Sequence, residues 1–119
     1  MTASLIAWAL FAHFVGDFPL QSDAMAKGKS SSFRWLALHA LTYSITVALM
    51  LSLVMDPLTA HMIAFGNGAA HFVIDAVTSR LSKRQFDLGN IHNAFTVIGF
   101  DQFLHASILL ASLSIGTQA

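Results

Sequence analysis

Histidine and aspartate recur four residues apart within apolar stretches, as His13 and Asp17, His71 and Asp75, and in reversed order Asp101 and His105. On an α-helix this spacing puts both side chains on one face, with Cβ atoms about 5–6 Å apart, so each pair can bite one cation or line one cavity. His39 adds an imidazole from a further stretch. Four imidazoles and three carboxylates suit zinc, iron or manganese, and they suffice for one or two divalent ions with coordination positions left open. Metal-bound water would be the nucleophile of such a centre, and whichever of Asp17, Asp75 and Asp101 stays off the metal could act as general base. Serine chemistry is disfavoured, because Ser44 and Ser107 sit in helical stretches and no Gly-x-Ser-x-Gly occurs. Gly66-Asn67-Gly68 has neither the lysine nor the preceding strand of a phosphate loop.

The elements that must position these residues follow from composition. A chain of 119 residues allows one compact domain, and 55% hydrophobic with 10% charged residues departs from the roughly 25% charged of soluble proteins. A mean hydropathy of +0.66 points to a membrane. Six basic and six acidic residues cancel without forming a basic tract, which argues against nucleic acid as a partner. The absence of cysteine excludes disulfides, thiolate ligands and thiol nucleophiles. Four apolar stretches, 2–21, 33–55, 58–81 and 94–115, approach the roughly 20 residues that a bilayer-crossing helix needs. The first has no basic leader and runs on past any cleavage point, so it reads as a retained transmembrane helix. Polar connections over 22–32 and 82–93 and a tight turn at Asp56-Pro57 join them. The expected architecture is an all-α, four-helix transmembrane up-and-down bundle.

All the lysines and arginines flank two connections: Lys27, Lys29 and Arg34 the first, Arg80, Lys83 and Arg84 the third. The excess of positive charge in cytoplasmic loops therefore places 22–32 and 82–93 in the cytoplasm and both termini outside, in a bacterial inner membrane. In this orientation all seven histidines and aspartates fall in one layer nearer the cytoplasmic face. Each aspartate at membrane depth costs about 2.5–3.5 kcal/mol. A bound cation, close ion pairing or protonation would offset that cost. Two functions remain open on these residues. One is a metal-dependent hydrolase acting on an amphipathic or lipid-like substrate. The other is a non-enzymatic protein whose layer is a proton or ion relay, or only a polar core, and which binds or modulates another membrane protein, with homo-oligomerisation open.

The layer carries an internal repeat. Ala12-His13-Phe14-Val15-Gly16-Asp17 matches Ala70-His71-Phe72-Val73-Ile74-Asp75 at five of six positions, and Leu38-His39-Ala40 matches Leu104-His105-Ala106. The separations are 58 and 66 residues, so the second half has the longer connection. A duplicated helical hairpin would place a shared site on an axis along the membrane normal. Asp101 aligns with Trp35 and has no twin. Around the layer, Gln21, Asp23, Lys27 and Lys29 are placed either to meet a head group or phosphate or to be a solvated loop, and Gln102 either to orient a ligand or to bridge helices. His61 and His92 read as interfacial, and Trp8, Trp35 and Tyr43 as interfacial anchors or packing.

The run His13-Phe14-Val15-Gly16-Asp17-Phe18-Pro19-Leu20-Gln21-Ser22-Asp23-Ala24-Met25-Ala26 resembles the signature of domain of unknown function 3307, a family of small bacterial and phage membrane proteins. Lys29, Leu38-His39, His71-Phe72-Val73-Ile74-Asp75 and Asp101-Gln102-Phe103-Leu104-His105 take the places of its further elements. Ala24 departs from it, standing where relatives often carry tryptophan. The resemblance implies a membrane protein and no established activity. In style the pattern is also similar to membrane-bound metal-dependent hydrolases, an analogy only.

Overall fold

Pro19 stops the first helix early. Proline has no N–H to donate to the preceding turn and cannot continue the ladder, and α1 spans Ala3–Asp17, with Phe18 as its C-cap, rather than running to residue 21. The computed structural model describes residues 1–118. The stretch expected as a loop over 22–32 contains a short helix, α2, Asp23–Gly28, whose N-cap Ser22 accepts the Met25 N–H at 3.2 Å. The cap and the helix formers Ala24, Met25, Ala26 and Lys27 outweigh the loop signal of Gly28 and the serines.

The third helix, α3, spans Phe33–Ser52 behind the N-cap Ser32. Helix α4 spans Pro57–Asp87, with Asp56 as N-cap and proline in its first turn. The backbone N–H and the hydroxyl of Thr59 both donate to Asp56 Oδ2, at 3.0 and 3.1 Å. The backbone bond in particular holds that carboxyl below its usual range. Residues 82–87, expected in a connection, continue α4, because Ser-Lys-Arg-Gln-Phe-Asp is compatible with a helix and Lys83 pairs with Asp87 at 2.7 Å. Gly89 then ends it at φ +78°. The Asn90 N–H reaches Gln85 O at 2.8 Å and the Gly89 N–H reaches Phe86 O at 3.0 Å, the paired bonds of a Schellman cap. Helix α5 spans Ile91–Gly116.

The chain is thus all-α, with five helices and no strand among the described residues. Helix α3 packs on α1, α2 and α4, and α5 packs on α4 and α1. The molecule is elongated, 48 × 25 × 20 Å. Helices α3 and α5 are long and apolar enough to cross a membrane; α1 is shorter.

The interior has two halves. Towards the chain termini lies an apolar core of Ala9, Ala12, Val47, Ala48, Leu51, Ala60, Ile63, Ala64, Leu109 and Leu113, whose alanines let the helices approach closely. Towards the connections 18–32 and 88–90 the buried residues are mostly polar, His13, Asp17, His39, His71, Asp75, Thr78, Ser79, Asp101 and His105, with Leu36, Ala40 and Ala94 beside them. Large apolar side chains point outward, and nine of the ten phenylalanines are exposed.

Candidate metal centre

Four helices each deliver imidazoles or carboxylates to the polar half of the core. Asp17 closes α1, His39 lies two turns into α3, His71 and Asp75 face inward from the middle of α4, and Asp101 and His105 do so from α5. His39 Nε2 and His71 Nε2 are 2.8 Å apart. Asp17 Oδ1 lies 3.0 Å from the first and 3.4 Å from the second, and Asp75 Oδ2 lies 3.3 and 3.4 Å from them. Ligands about 2.0–2.1 Å from a tetrahedral zinc stand about 3.3 Å from one another; the four nitrogen–oxygen separations, 3.0–3.4 Å, lie near that value, and the two nitrogens are closer. All four residues are buried, and Asp17, His39, His71 and Asp75 can hold a metal ion. The Nδ1 atoms of His39 and His71 are buried without a hydrogen-bond partner. The polar contacts of both rings are therefore made through the converging Nε2 atoms.

Beside this group, Asp17, Asp101 and His105 form another, with ligand atoms within 4.8 Å of one another. His105 Nε2 is 3.1 Å from Asp101 Oδ1 and 3.3 Å from Asp75 Oδ1. Thr78 donates to Asp101 Oδ1.

His13 stands outside both groups. Its Nε2 contacts Gln102 Oε1 at 2.9 Å and its Nδ1 contacts the Tyr43 hydroxyl at 3.0 Å. Gln102 Nε2 donates to Asp17 Oδ2 at 2.8 Å and to Asp101 Oδ2 at 3.1 Å. These contacts fix the proton positions. The amide spends its hydrogens on the carboxylates, so Oε1 must accept from His13 Nε2–H, and His13 Nδ1 accepts from Tyr43. Gln102, on α5, thus contacts the carboxylates of Asp17 and Asp101 and also bridges α5 to α1.

Of the residues read as lying around the layer, Lys29 reaches in from the end of α2, its Nζ 3.1 Å from Asp75 Oδ2. Gln21 borders the site with its Oε1 buried and unpartnered. Asp23 is exposed in the first turn of α2. The sequence reading missed Tyr43 and Thr78 as site residues. The signal was spacing: Tyr43 is four residues from His39 and Thr78 three from Asp75, each on the face of a ligand. Tyr43 is packed ring to ring on His71, centroids 4.3 Å apart and planes 11° apart.

A cleft of about 500 Å³ opens onto the carboxylates; Asp17, Asp75, Asp101 and Gln102 line it together with Phe18, Phe86, Ile98 and the cations Lys27, Lys29 and Lys83. Thr78 borders both this cleft and an apolar groove between α4 and α5 formed by Val73, Val77, Leu81, Val97 and Phe100.

The family described as "Protein of unknown function (DUF3307)" matches residues 5–119. The chain belongs to this family. No curated protein and no solved structure matches it.

Proposed function

We propose that the chain is an integral membrane protein in which α1, α3, α4 and α5 cross the bilayer as a four-helix bundle. In this reading it carries a divalent ion on Asp17, His39, His71 and Asp75 and hydrolyses an ester or phosphoester of an amphipathic substrate. The observation that carries the metal is the convergence, in a buried interior, of two imidazole nitrogens 2.8 Å apart with two carboxylate oxygens each 3.0–3.4 Å from them.

Membrane insertion is supported by an inside-out distribution: buried histidine, aspartate, asparagine, serine and threonine, with exposed phenylalanine and leucine along the outer faces. The 15 residues of α1 measure only about 22 Å, but Phe18 and Leu20, 46% and 48% exposed, extend its apolar surface. The 31 residues of α4 measure about 46 Å, so its last turns, with Lys83 and Arg84, project beyond a core of about 30 Å. All six basic residues lie at the α2 end of the molecule, which fits a cytoplasmic end.

A divalent ion at such a site lowers the pKa of bound water and polarises the bond to be cut. Overall, water adds across the ester bond, releasing an acid and an alcohol. The chain's own residues hold Asp17 and Asp101 through Gln102 and present cations beside the cleft for an anionic group. Thr78, at the junction of cleft and groove, fits a substrate with its polar group at the site and its hydrocarbon along α4 and α5.

The test is turnover of 4-nitrophenyl phosphate and 4-nitrophenyl butyrate by purified protein in lipid nanodiscs, with and without added zinc or manganese. Metal-dependent hydrolysis of either, lost in His71→Ala, is expected. Metal-loaded protein inert towards both, and towards phospholipid in the disc, would favour a polar core or ion relay in a protein that acts through a membrane partner.

A further inference from the structure

We infer that the centre is binuclear, with a second divalent cation held by His105, Asp101 and Asp17 beside the first. This rests on the metal reading above and extends it to the number of ions.

Asp75 divides its oxygens between two sides, and Asp17 belongs to both groups. Asp17 points Oδ1 at His39 and His71, and its carboxylate also belongs to the group with Asp101 and His105. Asp75 points Oδ2 at the same two histidines and Oδ1 at His105, 3.3 Å away. A carboxylate that offers one oxygen to each of two nitrogen-bearing clusters has the geometry of a bridging ligand. His105 Nε2, 3.1 Å from Asp101 Oδ1, supplies the second cluster's nitrogen.

The imidazoles of His71 and His105 lie side by side, with ring centroids 4.0 Å apart and planes 27° apart. Each ring turns Nε2 towards a different oxygen of Asp75, so this one carboxylate lies between the nitrogen donors that the two ions would use. Three carboxylates, those of Asp17, Asp75 and Asp101, gather in the buried site, and Lys29 contacts one of them. Two divalent ions also use His105 and Asp101, which a single ion on the first group leaves out.

Protein purified in detergent, stripped with EDTA and reloaded with Zn(II), is analysed for metal per chain. Two equivalents in the parent and one in Asp101→Asn are expected. Mn(II)-loaded parent protein is examined by electron paramagnetic resonance, where a spin-coupled pair is expected; this needs no variant to fold. One equivalent in the parent with an isolated six-line manganese spectrum would overturn the second ion and leave the first standing. No bound metal would overturn both.

Discussion

His39 and His71 meet nitrogen to nitrogen, Nε2 to Nε2 at 2.8 Å, with both rings buried. Two imidazole lone pairs at this distance repel unless a proton or a metal ion lies with them. The carboxylates of Asp17 and Asp75, within 3.4 Å of both nitrogens, stabilise positive charge at that point, whether it is carried by a proton or a metal ion. The organisation of the polar half of the core follows from this meeting. Lys29 contributes charge to Asp75, while Gln102 holds Asp17 and Asp101 in place.

The chain from Tyr43 through His13 to Gln102 acts as one unit upon Asp17 and Asp101. Gln102→Leu strips donors from two carboxylates and is expected to weaken metal binding by about 10–100-fold, as loss of a metal site's outer partners does. Tyr43→Phe removes one hydroxyl, worth about 0.5–1.5 kcal/mol of stability. Because the contacts are serial, the double variant should fall short of the sum. Metal titration of the four proteins, with thermal unfolding in the same detergent, measures the coupling.

Helices α3 and α4 cross closely at Gly68, where a Cβ would run into the Ser44 hydroxyl. Gly68→Ala is therefore expected to destabilise by about 1–3 kcal/mol through overpacking. Gly66, two residues away, faces open space, and Gly66→Ala should be neutral or stabilising by up to about 1 kcal/mol through helix propensity. Thermal unfolding midpoints should separate the two variants.

Phe103 is 63% exposed near the middle of α5. If that face meets lipid, Phe103→Asp costs about 3 kcal/mol of insertion, and carbonate extraction of membranes should release more of the variant than of the parent. On a water-exposed face the change would be neutral and the distribution unchanged.

Much of the site was legible because helical spacing is strict: an i, i+4 pair shares a face in any helix, so Asp17, His71, Asp75, Asp101 and His105 were placed before any packing was known. His13 shows where that reasoning stops. Its repeat twin, His71, points at the two carboxylates, whereas His13 is held by Tyr43 and Gln102. By the 66-residue offset those two align with Leu109 and Leu36. The two halves therefore differ at the positions that decide where a histidine turns, which a pattern within one helix does not reveal. Helix limits failed for similar reasons. Pro19 shortened α1, and the Gly89 cap, not the first polar residue, ended α4. In the chain from Ser82 to Asp87, charge marks a solvated helix as readily as a loop.

The most direct test of the account is the transition-metal content of protein purified from membranes in mild detergent without chelator, measured for the parent and for His71→Ala. At least one equivalent per chain is expected in the parent, with loss of that metal in His71→Ala and a fall in thermal stability when the parent is treated with EDTA. Metal-free parent protein whose unfolding is the same with zinc, manganese or EDTA would contradict the metal centre.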